Sequence, residues 1–309
     1  MLEVYRGSTN QWECDEMNHM NVRFYSARFM EGLGVLAAHC GMPDAFTSRA
    51  LSTLAPSQLH IRYHKEARAG AALYMMAGLL DVRESSAHVY MELRHLNGDI
   101  CATFRAMIDH VDVLTRQAFA WSPTSLAAFE KIRTTAPAET GPRSIDMTKA
   151  PAQQITLEEA DAIGAFHAGM FTVSPQHCDV NGLMSPDIFI ARTSDSAGVV
   201  MAGYAPVLKS ALEAHNLNYR PGLAALEHRV CFRGWPRAGQ PIAVRAGLGP
   251  RHGKAFSIRY WMLDPCNGTA WASIEAIVLC FDLDTRRAFA MPEEAREQLE
   301  KLAPKGLDV

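Results

Sequence analysis

The chain has 309 residues, 48% of them apolar, so it is long enough to bury one large core or two of ordinary size. Its 33 acidic and 30 basic residues leave a net charge of −3, which excludes the basic footprint of a nucleic-acid-binding protein at the level of the whole chain. No apolar run approaches the roughly 18 residues of a membrane span and the first residues lack the pattern of a secretory signal, so we expect a cytoplasmic protein.

The first predicted element is a polar turn followed by a long helix. The turn contains a carboxylate at Asp15 and ends at Asn21, a residue type that caps helices. The helix carries apolar side chains at three- and four-residue spacing, from Tyr25 to Ala37, and Gly41 stops it. An acid just before a helix N-terminus suits chemistry on a carbonyl. The carboxylate can attack or activate water, and the free N–H groups of the first turn can receive an oxyanion.

Strands follow this helix. Residues 59–63 and 87–93 alternate apolar and polar side chains with the period of two that is typical of half-buried strands. Asn97-Gly98 predicts a tight hairpin turn into a third strand at residues 100–108. A short helix is predicted from Pro123 to about Arg133.

The chain contains an internal repeat. Five short motifs recur in the same order, 164 to 170 residues later. The pairs are Trp12–Asn21 with Gln176–Ser185, Arg68-Ala-Gly70 with Arg237-Ala-Gly239, Asn97-Gly98 with Asn267-Gly268, Thr115-Arg116 with Thr285-Arg286, and Ala118-Phe-Ala120 with Ala288-Phe-Ala290. A common order and nearly constant offset indicate a tandem duplication.

The second copy repeats the predicted elements. Ser185-Pro186 starts a helix, and the remaining elements are strands at 255–262 and 270–281 and a short helix from Pro292 to about Leu302. We predict an N-terminal domain at 1–133, a linker with a short helix at 134–165, and a C-terminal domain at 166–309. An apolar helix followed by antiparallel strands suggests a sheet wrapped around that helix. Two such domains in one chain would pair as a pseudo-dimer.

The first copy resembles the hotdog-fold thioesterases, since Asp15, His19 and Asn21 stand before the helix as they do in that family. The nearest branches are the 4-hydroxybenzoyl-CoA thioesterase-like and acyl-ACP thioesterase proteins, and the resemblance covers nearly the whole chain, twice. It implies an α+β fold of two tandem hotdog domains, each an antiparallel sheet wrapped around a long central helix. It also implies an acyl-CoA thioesterase, a hydrolase with no cofactor beyond the coenzyme A of its substrate. By the same analogy, two chains could form a homodimer.

Within this resemblance, Asp15 matches the family's carboxylate, acting as nucleophile or as general base for water. The N–H of Val22 matches the helix-start amide that polarises the thioester carbonyl, and one such donor contributes roughly 2.7–4 kcal/mol to the transition state. His19 and Asn21 match polar residues that position substrate or water, or shape the turn. Tyr25 is a candidate for substrate contact, although its spacing on the helix favours a place in the core.

A basic cluster near the next strand is a candidate for binding the phosphates of CoA. Its members are Arg62, His64, Lys65 and Arg68. Arg233 and Arg237 keep positive charge at matching places in the second copy. A solvated strand edge explains these residues equally well.

The second copy departs from the pattern at two positions. Leu183 replaces His19, and Pro186, which has no N–H for an oxyanion, stands where Val22 stands. We therefore expect the active site in the first copy, with the second as scaffold. The opposite assignment stays open, because Asp179 and Asn181 resemble the Asp-x-Asn pair of acyl-ACP thioesterases.

Other interpretations remain. Asp15 could be only an Asx-turn residue. Cys14 and Cys178 recur beside the acids, but no general base is paired with either, and the seven cysteines lack C-x-x-C spacing, which favours reduced structural thiols. The chain lacks a Gly-rich phosphate loop, a His/Cys metal cluster and a Gly-x-Ser-x-Gly motif. Two further functions are an (R)-specific enoyl-CoA hydratase, whose usual Gly-Asp-x-Asn-Pro-x-His string is missing, and a non-catalytic acyl-CoA-binding protein.

Overall fold

A computed structural model describes residues 1–252 and 254–309. The chain forms two compact units. Unit 1 comprises Met1–Pro142 and Ser174–Ala191, and unit 2 comprises Arg143–Val173 and Arg192–Val309. The predicted domain boundaries therefore stay predictions, since these units divide the chain at other positions.

Unit 1 contains five antiparallel strands and a long helix. The elements are β1 (Leu2–Ser8), α1 (Val22–His39), β2 (Ser52–Tyr63), β3 (Ala72–Val82), β4 (Ser86–His95), β5 (Ile100–Asp112) and α2 (Pro123–Glu130). The strand order is β1-β3-β4-β5-β2. The predicted helices and the three predicted strands of the first copy are confirmed, although β2 begins earlier than expected. Strands β1 and β3 were not predicted.

Helix α1 packs on this sheet through its apolar side chains. Tyr25 meets the Tyr63 ring of β2 edge-on, with 5.0 Å between ring centroids, and Phe29 stacks on Phe104 of β5 at 5.6 Å. At Gly32 the helix lies so close to the sheet that a Cβ would stand 2.9 Å from the Met75 sulfur of β3. The burial of these groups, rather than helix propensity, stabilises α1 in place.

Unit 2 has a sheet with the same connectivity. Its elements are α3 (Leu157–Ala162), β6 (Phe166–Thr172), α4 (Pro186–Ala214, whose first residues belong to unit 1), β7 (Pro221–Phe232), β8 (Pro241–His252), β9 (Ala255–Leu263), β10 (Ala270–Asp282) and α5 (Glu293–Leu302). The strand order β6-β8-β9-β10-β7 repeats that of unit 1. The tandem duplication predicted from the sequence is thus matched by the same strand order in both units.

The stretch predicted as a linker is held by hydrogen bonds to strand side chains, each bond within one unit. In unit 1, the Tyr90 hydroxyl donates to Thr140 Oγ1 at 2.9 Å, and the Arg62 guanidinium donates to Gly141 O at 2.6 Å. In unit 2, the N–H of Ser144 donates to the buried Glu227 carboxylate at 2.9 Å. This segment is therefore an ordered strap.

The turns that follow β5 and β10 are alike and place an arginine in an unusual conformation. Arg116 and Arg286 have φ angles of 61° and 58°, in the left-handed region that arginine rarely adopts. Each donates its N–H to the carbonyl oxygen of the aspartate four residues earlier, Asp112 or Asp282. These arginines belong to the repeated Thr115-Arg116 and Thr285-Arg286 motif, so the repeat in the sequence marks a turn of the same conformation in both copies.

Asp282 gives unit 2 a pH-dependent stability. Its carboxylate accepts hydrogen bonds from the hydroxyl and N–H of Thr285 at 2.6 and 3.0 Å and from the N–H of Arg220 at 3.0 Å, and these bonds lower its pKa to about 2. A lowered pKa stabilises the fold above the unfolded pKa, and that stability is lost as pH falls toward 2. We expect Asp282→Asn to lower the urea unfolding midpoint at pH 7 and to flatten its decline between pH 4 and pH 2.

The control for this experiment is Asp284→Asn, since Asp284 is an exposed neighbour in the same turn. A decline between pH 4 and pH 2 that is the same in native protein and in Asp282→Asn would contradict the assignment.

No helix of the described residues is both long and apolar enough to cross a membrane.

Candidate active site

The predicted carboxylate lies in a closed turn directly before α1. Asp15 Oδ1 accepts the N–H groups of Met17 at 2.9 Å and His19 at 3.2 Å, and the Asp15 N–H donates to His19 O at 2.8 Å. Asn18 completes the turn with a φ of 61°. The half-buried Asp15 thus has one oxygen that holds the turn, while its Oδ2 accepts no hydrogen bond from the residues described.

Asn21 caps α1 and leaves one amide of the helix start unused. Its side chain accepts the N–H of Arg23 at 3.0 Å, and its carbonyl accepts the N–H of Phe24 at 2.9 Å. Within residues 1–252 and 254–309, the N–H of Val22 has no hydrogen-bond acceptor. This N–H stands at the positive end of the helix dipole, where a negative oxygen is stabilised.

His19 is held by a residue that sequence reasoning missed. Its Nε2 lies 2.8 Å from Glu66 Oε2, and the His19 side chain is 13% exposed. The loop that carries Glu66 docks on the turn, because the N–H of Met20 donates to Ala67 O at 2.8 Å. The one available signal was position, since Glu66 stands two residues before the repeated Arg68-Ala-Gly70 motif.

A buried ion pair links the segment before the Asp15 turn to α1. The Glu13 carboxylate pairs with Arg28 of α1 and accepts the N–H of Asn10 at 2.7 Å. The carbonyl of Glu13 in turn accepts the N–H of Asn21 at 2.8 Å. These contacts tie the segment before Asp15 to the helix that follows it.

The second copy builds the same turn without a histidine. Asp179 Oδ1 accepts the N–H groups of Asn181 at 2.8 Å and Leu183 at 3.0 Å, and Gly182 takes the left-handed position with a φ of 76°. Asp179 is exposed. Burial lowers the pKa of Arg116, and the nearby Asp179 charge acts in the opposite direction. Pro186 is the first residue of α4, so this copy offers no N–H at the matching position.

The starts of α1 and α4 carry opposite charges that face each other within unit 1. Arg23 Nε lies 3.9 Å from Asp187 Oδ2. Burial raises the pKa of Asp187, and Arg23 acts in the opposite direction. This pair was not foreseen from the sequence.

Tyr25, a candidate for substrate contact, is 4% exposed in the core of unit 1. Its hydroxyl accepts a hydrogen bond from the Cys101 thiol at 3.7 Å, and burial raises its pKa well above the usual value. This placement favours the core role for Tyr25.

Each of the predicted phosphate-binding residues makes a polar contact within its own unit. Arg62 and Arg233 donate to main-chain carbonyl oxygens of the strap, at 2.7 Å to Glu139 O and 2.6 Å to Ala152 O. Lys65 pairs with Asp99 at 2.7 Å, and Arg68 lies 3.8 Å from Glu66. His64 Nε2 lies 3.2 Å from Thr103 Oγ1, and the main-chain N–H of Arg237 donates to Gln240 Oε1 at 2.6 Å. Four of these side chains are exposed, and a role in phosphate binding stays a prediction for them.

Comparison with known families gives a match over most of the chain. Residues 9–129 and 173–299 match the model of the thioesterase-like superfamily. Comparison with curated protein sequences gives no match.

Solved structures share the fold over nearly the full length. A protein assigned as an oleoyl thioesterase from Lactobacillus plantarum aligns with a TM-score of 0.64 and 12% identity over 89% of this chain and 94% of its own. An acyl-ACP thioesterase from Bacteroides thetaiotaomicron aligns with a TM-score of 0.61 and 12% identity over 89% of this chain and 96% of its own. The 12:0-ACP thioesterase from Umbellularia californica aligns with a TM-score of 0.60 and 8% identity over 90% of this chain and 93% of its own. At these identities the likeness concerns the fold.

Proposed function

Because the chain belongs to the thioesterase-like superfamily, we propose that it hydrolyses an acyl-CoA thioester with Asp15 as the carboxylate and the Val22 N–H as the oxyanion donor. The observation that carries this proposal is the pairing of two unused groups around one turn. Asp15 Oδ2 and the N–H of Val22 both lack hydrogen-bond partners among the described residues. The N–H groups of Met17, His19 and Arg23, by contrast, are engaged in the turn and the cap.

In the nucleophilic form of the reaction, Asp15 Oδ2 bonds to the thioester carbon and the carbonyl electron pair moves to oxygen, where the Val22 N–H donates to it. Collapse of this intermediate expels the thiolate, and water hydrolyses the acyl-aspartyl anhydride. In the general-base form, Asp15 takes a proton from water and the resulting hydroxide attacks the same carbon. Both forms use the same oxyanion donor.

His19 and Asn21 have supporting roles in this proposal. Asn21 orders the first helical turn and so aims the Val22 N–H. His19 places its imidazole on the turn that carries Asp15 and positions substrate or water.

We assign the second copy a scaffold role. Pro186 removes the amide, Leu183 removes the imidazole, and Arg116 lies near the Asp179 charge. Asp179 and Asn181 then serve to close a turn, as their hydrogen bonds indicate. The same bonding at Asp15 supports a second candidate, a non-catalytic acyl-CoA-binding protein in which both acids are structural.

The test is thiol release from a panel of aliphatic and aromatic acyl-CoAs and acyl carrier proteins, followed with a thiol-reactive chromophore. Turnover of at least one acyl-CoA is expected. A protein that binds CoA in calorimetry but releases thiol from no member of the panel would be the binder. Water addition to an enoyl-CoA without thiol release would indicate the hydratase.

The pairing of the two repeats as a pseudo-dimer and the association of two chains as a homodimer are further parts of this proposal, as is a cytoplasmic location. They rest on analogy with the family. Sedimentation of a 34.0 kDa monomer would contradict the homodimer.

A further inference from the structure

The contact between His19 and Glu66 is the best-defined polar interaction at the turn that the proposed reaction does not yet use. His19 Nε2 and Glu66 Oε2 are 2.8 Å apart, and their side chains are 13% and 53% exposed. A carboxylate can only accept, so Nε2 carries the proton and Nδ1 is the acceptor nitrogen of the neutral ring. We propose that Glu66 is a positioning residue that acts through His19, fixing the tautomer and orientation of its imidazole and raising the proton affinity of that ring. This inference rests on the proposed function.

The second copy shows that the imidazole is not needed to build the turn. The 178–184 turn has the same two bonds to its aspartate oxygen, and the same bond from the aspartate N–H to the residue at the histidine position, at 2.8 Å in both copies. Leu183 occupies that position. Since the turn forms with leucine, a structural requirement does not explain His19.

The partner of His19 is lost together with the histidine. The residues of this loop can be matched between the two copies by an equivalent hydrogen bond. The N–H of Gly70 donates to Thr9 O, and the N–H of Gly239 donates to Val173 O, both at 2.8 Å, so Gly70 corresponds to Gly239. In this register Glu66 corresponds to Trp235, which stacks on Phe232. The second copy has therefore replaced the imidazole, its carboxylate and, at Pro186, the oxyanion donor, while keeping the aspartate turn. Three coordinated losses are expected if the three groups serve one reaction.

The charges around His19 set the size of the effect. Within unit 1 they include Glu66, the Asp15 carboxylate that accepts the backbone N–H of His19, and Arg68, which lies 3.8 Å from the same Glu66 oxygen. Half-exposure of Glu66 and the nearby Arg68 weaken its attraction to an imidazolium. Orientation and tautomer are therefore the larger part of its role, as in other carboxylate–histidine pairs.

The experiment compares Glu66→Gln with native protein in thiol release from an acyl-CoA across pH 5 to 9. We expect kcat/KM to fall about tenfold, less than the roughly 10²–10⁴-fold contribution of a positioned acid–base group, and the limb of the pH profile that reports His19 to move to lower pH. In a His19→Leu background, which copies Leu183, Glu66→Gln is expected to have no further effect. Glu16→Gln, at an exposed acid of the same turn, is the control and should leave the profile unchanged.

A second readout does not depend on turnover. The His19 ring resonances, assigned by their loss in His19→Leu, are followed by NMR through the same pH range, and in Glu66→Gln their titration midpoint should move to lower pH. An unchanged midpoint, or a loss of activity in Glu66→Gln that is equal in the His19→Leu background, overturns the proposal. A shifted midpoint in a protein that releases no thiol supports the pair while rejecting the proposed function.

Discussion

Asp15→Asn is expected to lower kcat/KM for thiol release about 100-fold or more. The amide oxygen of asparagine can still accept the N–H groups of Met17 and His19 that Asp15 Oδ1 accepts now, so the turn should keep its shape. What the substitution removes is the negative charge and basicity of Oδ2. The measurement is initial-rate thiol release over a range of acyl-CoA concentrations, with circular dichroism melting to confirm the fold.

The duplication supplies a matched control for this prediction. Asp179→Asn makes the same change in a turn with the same hydrogen bonds, and it should leave kcat/KM within about twofold of native, because surface substitutions away from functional groups have small effects. Loss of turnover in Asp179→Asn alone would move the active site to the second copy. Near-native turnover in both variants would remove the aspartate mechanism.

Val22→Pro should lower kcat about 10²–10³-fold, the effect of deleting one oxyanion donor. The substitution copies Pro186 into the first copy, deletes the N–H and replaces the isopropyl side chain with the pyrrolidine ring. Three features favour an intact helix. Proline is well tolerated at the first helical position, Asn21 already has the extended conformation preferred before proline (φ −60°, ψ 143°), and the lost N–H has no acceptor among the described residues.

The control for this variant is Val22→Ala, which shortens the side chain and keeps the N–H. We expect Val22→Ala to retain kcat within a few-fold of native while Val22→Pro does not. Equal kcat values for Val22→Pro and native protein, at equal thermal stability, would place the oxyanion donor elsewhere.

The two experiments test the Asp15 carboxylate and the Val22 oxyanion donor separately. Asp15→Asn tests the group that attacks or activates water, and Val22→Pro tests the group that receives the oxyanion. A large effect of the first with none of the second would keep the carboxylate mechanism and reject the helix-start amide. The reverse result would favour a carbonyl polarised by the helix and attacked by water that another base activates.

Local interactions account for what was predictable. Helix α1 begins at Val22 and ends at His39, close to the predicted limits, because its cap at Asn21 and its stop near Gly41 depend on neighbouring residues in the chain. Other local features could be predicted for the same reason. They are the repeat, the Asx-type turns at Asp15 and Asp179, and the hairpin turns at Asn97-Gly98 and Asn267-Gly268. Strand β3 was missed because it is apolar on nearly every residue from Leu73 to Leu80 and so lacks the alternation that marks a strand.

Only the tertiary structure decided which distant side chains meet. Arg62 reaches carbonyl oxygens of the strap, 77 and 79 residues further along the chain, so its charge holds the backbone there. His19 meets Glu66, and Arg23 faces Asp187, through contacts that depend on strand register and on how each helix start is packed. The sequence by itself thus determined the duplication, the aspartate turn and the capped helix. The partners of the polar residues in the site came from folding, because side chains distant in sequence meet only once the sheet and helices have packed.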